Sequence, residues 1–328
     1  VKLAVLGGGS FGTALAAHLA RAGHGVGLWL REPELARQIN EARENPTYLP
    51  GVALPAGIEA SPELPAALEG ARLAFVVVPS EFCRGVYRRL RGAVPAGAVL
   101  VSATKGLELD TLKRMSEVAA EELSGVELAV LSGPSFALEV ARGEPTAVVV
   151  ASAARGVAEA VQQAVSTASF RAYSSEDVPG VELAGALKNV VAIAAGILDG
   201  LGHGHNTVAA LITRGLAEIT RLAVALGARA DTLAGLAGLG DLVLTCTGGL
   251  SRNRRVGQAL GRGLTLEEAL RGTAMVAEGV RTTLAACALA ERAGVELPIA
   301  RQMRAVLYEG KPPRAAVEEL MLRSLKRE

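Results

Sequence analysis

Cysteine and lysine are scarce in this chain, and their scarcity narrows the reading. Three cysteines among 328 residues, Cys83, Cys246 and Cys287, lie far apart and are odd in number. They offer neither the spacing of a metal site nor a disulfide framework, which fits a reducing, cytoplasmic setting. His203 and His205 form a pair with no third ligand nearby, so no metal is expected. The formal net charge is +1. Without a basic surplus, nucleic acid is not an expected partner, and any anionic ligand must be met by local cations. No uninterrupted apolar run reaches ~18 residues, so no membrane span is expected. No internal repeat or low-complexity segment is found. Residues 1–6 already read as part of a strand, which leaves no expected signal peptide.

Half of the residues are hydrophobic, enough for two domains with a substantial core. Lysine occurs only at 2, 105, 113, 188, 311 and 326, against 34 basic residues in all. Two of these, Lys105 and Lys188, stand in otherwise uncharged stretches.

The N-terminal half alternates strand and helix. Residues 2–6 form an apolar strand, followed at once by Gly7-Gly8-Gly9-Ser10-Phe11-Gly12 and a helical run over 13–22. A GxGxxG between a strand and a helix is the context that makes a dinucleotide fingerprint credible. Gly7 permits the tight turn, Gly9 lets the backbone approach a pyrophosphate, and Gly12 allows helix to pack on strand. Free N–H groups at the helix start then face the phosphates. The second strand, 26–30, ends in Arg31, which suits the 2′-phosphate of NADP, while Glu32 beside it keeps NAD open. Further apolar strands are expected at 73–78, 98–102, 127–131 and 147–151, with helices over 81–91, 111–123, 136–142 and 153–166. The pattern is that of a doubly wound parallel sheet. Gly7–Gly12, Arg31, Pro79-Ser80, Lys105 and Ser132–Ser135 all follow strands. One edge, at the strands' carboxyl ends, therefore collects them, and ligands of such sheets bind there.

A polar stretch with Pro179-Gly180 marks the expected domain boundary, giving a dinucleotide-binding domain over 1–179 and an all-α domain over 180–328. Helices are expected at 181–199, 206–226, 252–261, 265–271, 277–293, 298–309 and 314–325. Lys188 lies on the first. Its neighbours three and four residues away are Ala184, Gly185, Val191 and Ala192. A lysine on so small and apolar a floor leaves room for another molecule, and an apolar surround draws its pKa toward neutrality, where it can exchange a proton. Asp241 closes a Gly-rich apolar stretch and can pair with Lys188 or cap a helix. Ser251-Arg252-Asn253-Arg254-Arg255 opens a helix with N–H groups, dipole and guanidinium forks together, a cradle suited to phosphate.

Seven blocks carry a family resemblance: GGGSFGTALA (7–16), SATKGLE (102–108), LSGPSFALEV (131–140), ELAGALKNVVAIAAGI (182–197), GHGHNTVAALITRG (202–215), GLAGLGDLVLTCTGGLSRNRRVG (235–257) and AEGV (277–280). In order and spacing the chain resembles the bacterial-type NAD(P)-dependent glycerol-3-phosphate dehydrogenases over residues 2–320. The resemblance implies an N-terminal Rossmann-like domain and a helical C-terminal domain. It further implies a cytoplasmic homodimer that interconverts dihydroxyacetone phosphate and sn-glycerol 3-phosphate with NADP or NAD and feeds glycerophospholipid synthesis. It casts Lys188 as proton donor and acceptor. Ser10, Phe11, Arg31, Lys105, Ala137, Arg252, Val276 and Glu278 are implied dinucleotide contacts. Lys105, Gly133, Ser135, Lys188, Asp241, Ser251, Arg252 and Asn253 are implied substrate contacts. Two rival readings are a β-hydroxyacid dehydrogenase taking a carboxylate and a nucleotide sensor without turnover.

Overall fold

The structure, a computed structural model, describes residues 1–271 and 277–323. The chain divides into two compact units, Val1–Glu108 with Lys113–Glu182, and Leu109–Leu112 with Leu183–Glu328.

The first unit carries eight strands: β1 (Lys2–Leu6), β2 (Gly25–Trp29), β3 (Ile58–Ser61), β4 (Leu73–Val76), β5 (Val99–Ser102), β6 (Glu127–Ser132), β7 (Thr146–Ala151) and β8 (Phe170–Ser175). Between them run α1 (Ser10–Arg21), α2 (Pro33–Ala42), α3 (Leu64–Leu68), α4 (Ser80–Leu90), α5 (Met115–Glu122), α6 (Ala137–Arg142) and α7 (Arg155–Val165). The strands form one sheet in the order β3-β2-β1-β4-β5-β6-β7-β8. Every neighbouring pair is parallel except β6 and β7, which run antiparallel.

Both sheet faces are covered, as the unbroken apolar strands require. Along β1, Leu3 and Val5 join the core under α1, α2, α6 and α7, while Ala4 and Leu6 join the core under α3, α4 and α5. Alternate side chains of one strand thus serve opposite layers. Strands β2, β1, β4, β5 and β6 are adjacent and parallel, so their carboxyl ends share one edge.

The sequence pattern did not indicate α2, β3, α3 or β8. Strand β8 reads FRAYSS, and only Phe170 and Ala172 along it are buried. As the outermost strand of the sheet it covers one face, and its polar alternate positions masked it. The polar stretch around Pro179 also turns less than expected. Helix α8 (Val178–Gly200) includes Pro179 and Gly180 in its first turn. Proline is tolerated there because its missing N–H has no intrahelical partner to lose, and the Asp177 carboxylate accepts the Gly180 N–H at 2.9 Å.

The second unit is helical: α8 from Leu183 onward, α9 (His205–Ala225), α10 (Ala230–Ala234), a π turn (Leu236–Gly240), α11 (Asp241–Thr247), α12 (Arg252–Gly261), α13 (Leu266–Leu270), α14 (Glu278–Ala293), α15 (Pro298–Tyr308) and α16 (Pro313–Met321). Helix α8 has the length and apolarity of a membrane span, but its apolar window is entirely buried in protein, as a core helix is. Glycines let α12 lie directly on it. A Cβ at Gly196 of α8 would stand 2.0 Å from the Arg254 carbonyl oxygen, and one at Gly257 of α12 would stand 2.0 Å from that of Ile193. This backbone-to-backbone contact brings the start of α12 beside the middle of α8.

Glu218 of α9 is buried and caps α15, where the Ile299 N–H donates to both carboxylate oxygens at 3.0 Å. Burial pushes this carboxyl from 4.5 up to about 7, against the smaller downward pull of the Ile299 and Ala300 N–H groups. Between pH 4.5 and 7 the folded state therefore holds a proton that the unfolded state has released, and stability falls as pH rises. Glu218→Gln keeps an acceptor and cannot ionise. Chemical denaturation across that range should show the variant gaining on the wild type by up to about 3 kcal/mol at pH 7 and above. Parallel profiles would mean that Glu218 titrates normally.

Candidate functional site

In the first unit the loop Gly7–Gly12 joins β1 to α1. Gly7 has φ of 129°, and a Cβ there would meet the Val77 carbonyl oxygen at 2.4 Å. A Cβ at Gly12 would come within 1.9 Å of the Gly7 oxygen, whereas one at Gly9 would meet nothing within 4 Å. Gly7 and Gly12 are thus required by the fold, while Gly9 borders open space. Gly9 is also the N-cap of α1, which has no side-chain cap and no acidic residue in its first turn. Its positive end is left for an anion. Ser10 and Phe11 form that first turn, and Phe11 packs in part against the sheet's core.

The loop is braced from a distance. Asn45 Nδ2 donates to the Gly8 oxygen at 2.9 Å and to Thr13 Oγ1 at 2.8 Å, and Thr13 Oγ1 donates to Gly8 at 3.1 Å. Arg31, just past β2, is exposed, lies over the Phe82 ring at 5.5 Å from its centre, and stands 3.6 Å from the Glu32 carboxylate.

Lys105, Gly133 and Ser135 meet at one carbonyl: Lys105 Nζ donates to the Gly133 oxygen at 2.8 Å, and Ser135 Oγ does so at 3.0 Å. β5 and β6 pair in parallel and bring their following loops together. Gly133 has φ of 133°, and a Cβ there would press on Val148 Cα at 2.9 Å. Ala137 is the first residue of α6, two residues past Ser135.

The second unit gathers its chemistry around α8. Lys188 is only 5 % exposed. Its ammonium stands 2.9 Å from Asp241 Oδ1 and donates to Thr245 Oγ1 at 2.6 Å. Thr245 in turn donates to the Asp241 carbonyl at 2.6 Å. Of the two readings of Asp241, the structure shows the pairing with Lys188, so the small apolar floor of α8 faces a buried carboxylate contributed by α11. Desolvation disfavours an ammonium and an adjacent carboxylate favours it, so the two oppose each other here. Cys246, next along α11, is a bystander: burial pushes its thiol up to about 12, which keeps it protonated.

At the start of α12, Ser251 Oγ accepts the Arg254 N–H at 3.2 Å as an N-cap. Asn253 Nδ2 donates to Asn189 Oδ1 at 2.9 Å, and its Oδ1 accepts the Gly279 N–H at 2.9 Å. Asn253 thereby ties α8, α12 and α14 together. Burial pushes the Arg252 guanidinium down from its usual range, with Arg255 adding to this and the Glu278 carboxylate opposing it. Glu278 opens α14. Val276 lies outside the described residues.

Asn45, Asn189 and Thr245 were not singled out from the sequence. Thr245 sits one α-turn past Asp241, a spacing that puts both on one face. The Asn45 partners lie 32 and 37 residues away and left no local signal.

Comparison with known proteins agrees across the whole chain. Residues 2–158 match the family model for the NAD-dependent glycerol-3-phosphate dehydrogenase N-terminus, and residues 177–318 match that for its C-terminus. A glycerol-3-phosphate dehydrogenase [NAD(P)+] of Geobacter sp. (strain M21) is 55% identical over 100% of this chain and 98% of its own. One from Nitratidesulfovibrio vulgaris (strain DP4) is 54% identical over 100% of both chains. The crystal structure of a glycerol-3-phosphate dehydrogenase from Coxiella burnetii superposes with a TM-score of 0.94 at 43% identity, over 98% of this chain and 99% of that one.

Proposed function

The chain belongs to the NAD-dependent glycerol-3-phosphate dehydrogenase family, and from that premise we propose that Lys188 is the group that delivers and removes the proton. The enzyme interconverts dihydroxyacetone phosphate and sn-glycerol 3-phosphate with NAD(P)H, a reaction of lipid metabolism. The observation that carries the role is the buried cluster of Lys188, Asp241 and Thr245. A lysine held by two partners at 2.9 and 2.6 Å has its nitrogen fixed in place, and a proton donor needs that geometry before anything else.

The first unit fits a dinucleotide. Open space at Gly9 and the uncapped start of α1 suit a pyrophosphate, and Arg31 at the end of β2 suits the ribose or its 2′-phosphate. When bound, the reduced dinucleotide supplies hydride to the C2 ketone. Lys188 then gives its proton to the carbonyl oxygen as negative charge develops there. Asp241 holds the lysine and orients the substrate hydroxyl. Lys105 and Ser135 extend cationic and hydroxyl groups from the strand edge as further substrate contacts.

The phosphate is assigned to the start of α12. This ten-residue helix offers its dipole, Arg252 offers a guanidinium, and the second N–H of the Asn253 amide offers a donor. Binding energy from the dianion holds the reacting carbon in place. Arg252→Ala is expected to raise KM for dihydroxyacetone phosphate about 10- to 100-fold, the value of one or two charge-assisted hydrogen bonds, with a smaller change in kcat. Initial rates followed by NADPH absorbance test this. Unphosphorylated dihydroxyacetone reduced as well as its phosphate would remove the anchor from the scheme. The proposal also takes the enzyme to be a cytoplasmic homodimer, and sedimentation equilibrium reads the oligomeric state.

A further inference from the structure

We infer that the π turn Leu236–Gly240 is a positioning device that sets the angular register of α11, and that Gly238 is the residue that makes it possible; the inference rests on the role proposed for Lys188. In the π turn the Gly240 N–H donates to the Gly235 oxygen at 3.1 Å, and the Asp241 N–H reaches back to Leu236. These are steps of five residues, against four in an α-helix. The segment therefore spends one more residue than an α turn would before α11 begins at Asp241. One residue is about 100° of rotation in a helix with 3.6 residues per turn. With ordinary α bonding across this segment, Asp241 would leave its present bearing toward Lys188 by about that angle. Thr245, one turn further along the same helix, would be carried with it. Asp241 and Thr245, which hold the Lys188 ammonium, thus both depend on a single irregular turn.

Gly238 permits that turn on steric grounds. It is buried, and a Cβ there would lie 2.0 Å from the Leu233 carbonyl oxygen and 2.5 Å from its carbon. The obstacle is backbone of α10, so it cannot swing aside as a side chain could. Any larger residue must displace the turn, and α11 follows three residues later. Gly235, at the other end of the segment, has no such constraint, since its nearest contact for a Cβ is 3.4 Å.

The test is a mutant cycle on the full-length enzyme with dihydroxyacetone phosphate and NADPH. Gly238→Ala should lower kcat about 10-fold or more by misplacing the proton donor's partners. The same change placed on Asp241→Asn should cost less than about 2-fold, because the two act through one contact. The pH profile of kcat for Gly238→Ala should move toward that of Asp241→Asn, and Gly235→Ala should behave as wild type. Independent, multiplying losses, or a normal pH profile with only a lowered melting temperature, would overturn the inference. Should Gly238→Ala not accumulate as folded protein, deleting Leu239, which is 37% exposed, takes the extra residue out of the turn directly. It should bring the same loss, and wild-type kcat in that variant overturns the inference too. If Lys188→Met keeps wild-type turnover, the proposed role of the lysine fails first, whatever Gly238 does.

Discussion

Replacing Lys188 by methionine is expected to lower kcat for reduction of dihydroxyacetone phosphate by about 10³-fold, within the range that a positioned acid or base contributes. Binding of NADPH, followed by calorimetry, should stay at the wild-type value. The reason lies in the division of labour: the residues assigned to the dinucleotide fingerprint belong to β1, α1 and the neighbouring strand ends, whereas Lys188 belongs to α8. Joint loss of binding and turnover would make the lysine a cofactor residue instead.

The same substitution carries a second consequence, which must be separated from the first. Asp241 is 1 % exposed and its side chain is paired with the lysine. Removing the cation strands a carboxylate in the protein interior, and breaking a buried pair from one side costs about 3–5 kcal/mol. Lys188→Met alone should therefore melt earlier than the wild type. Lys188→Met combined with Asp241→Leu removes both charges and should recover most of that stability, because apolar residues often replace a buried pair without penalty. Activity should not recover. A double variant that is stable and inactive assigns the loss to chemistry; one that regains turnover would show that Lys188 serves only the fold.

That experiment also marks where reading the sequence stops. The glycine loop was legible because its parts are contiguous: strand, turn and helix start follow one another within a dozen residues, and Gly7 and Gly12 have local steric reasons while Gly9 is open to a ligand. Lys188 was legible because lysine is rare here and its own helix supplies only small apolar neighbours. Its environment was legible only in part: Asp241 stood out as one acid closing a Gly-rich stretch, with pairing as one of its two readings, whereas Thr245, 57 residues from the lysine, carried no signal. The same limit hid Asn189, which meets Asn253 across 64 residues, and Asn45, which braces the glycine loop from 37 residues away. Periodicity reports what a helix or strand does with its own residues; it carries no information about which other element arrives opposite. Strand β8 was missed for a related reason. An outermost strand satisfies one apolar face, and two buried side chains in six are too few to stand out from a loop. The antiparallel pairing of β6 with β7 is likewise a matter of how the chain returns after the short α6, which no local pattern encodes.

Two glycines of the same loop should respond in opposite ways to the same methyl group. At Gly9 the backbone is φ −70°, ψ −177°, an extended conformation open to any residue, and a Cβ would meet no atom of the protein within 4 Å. Gly9→Ala should therefore fold and melt as the wild type does. Its methyl group would occupy the path by which a pyrophosphate reaches the start of α1. Losing one hydrogen bond to a charged phosphate costs about 1.5–3 kcal/mol, so the dissociation constant for NADPH should rise about 10- to 100-fold. At Gly12 the methyl group would stand 1.9 Å from the Gly7 carbonyl oxygen, and neither partner is a side chain that can turn away. Gly12→Ala must lift α1 from β1, with a stability loss of about 1–3 kcal/mol or more for an overpacked contact. Thermal melts with and without NADPH distinguish the two: Gly9→Ala should keep its apo melting temperature and lose most of the shift on adding NADPH, while Gly12→Ala should melt early before any cofactor is added. Wild-type affinity in Gly9→Ala would mean that the dinucleotide does not pass over the start of α1. In that event the loop would be only a tight turn, and the cofactor would have to be sought elsewhere along the strand edge, beginning at Arg31 and Lys105.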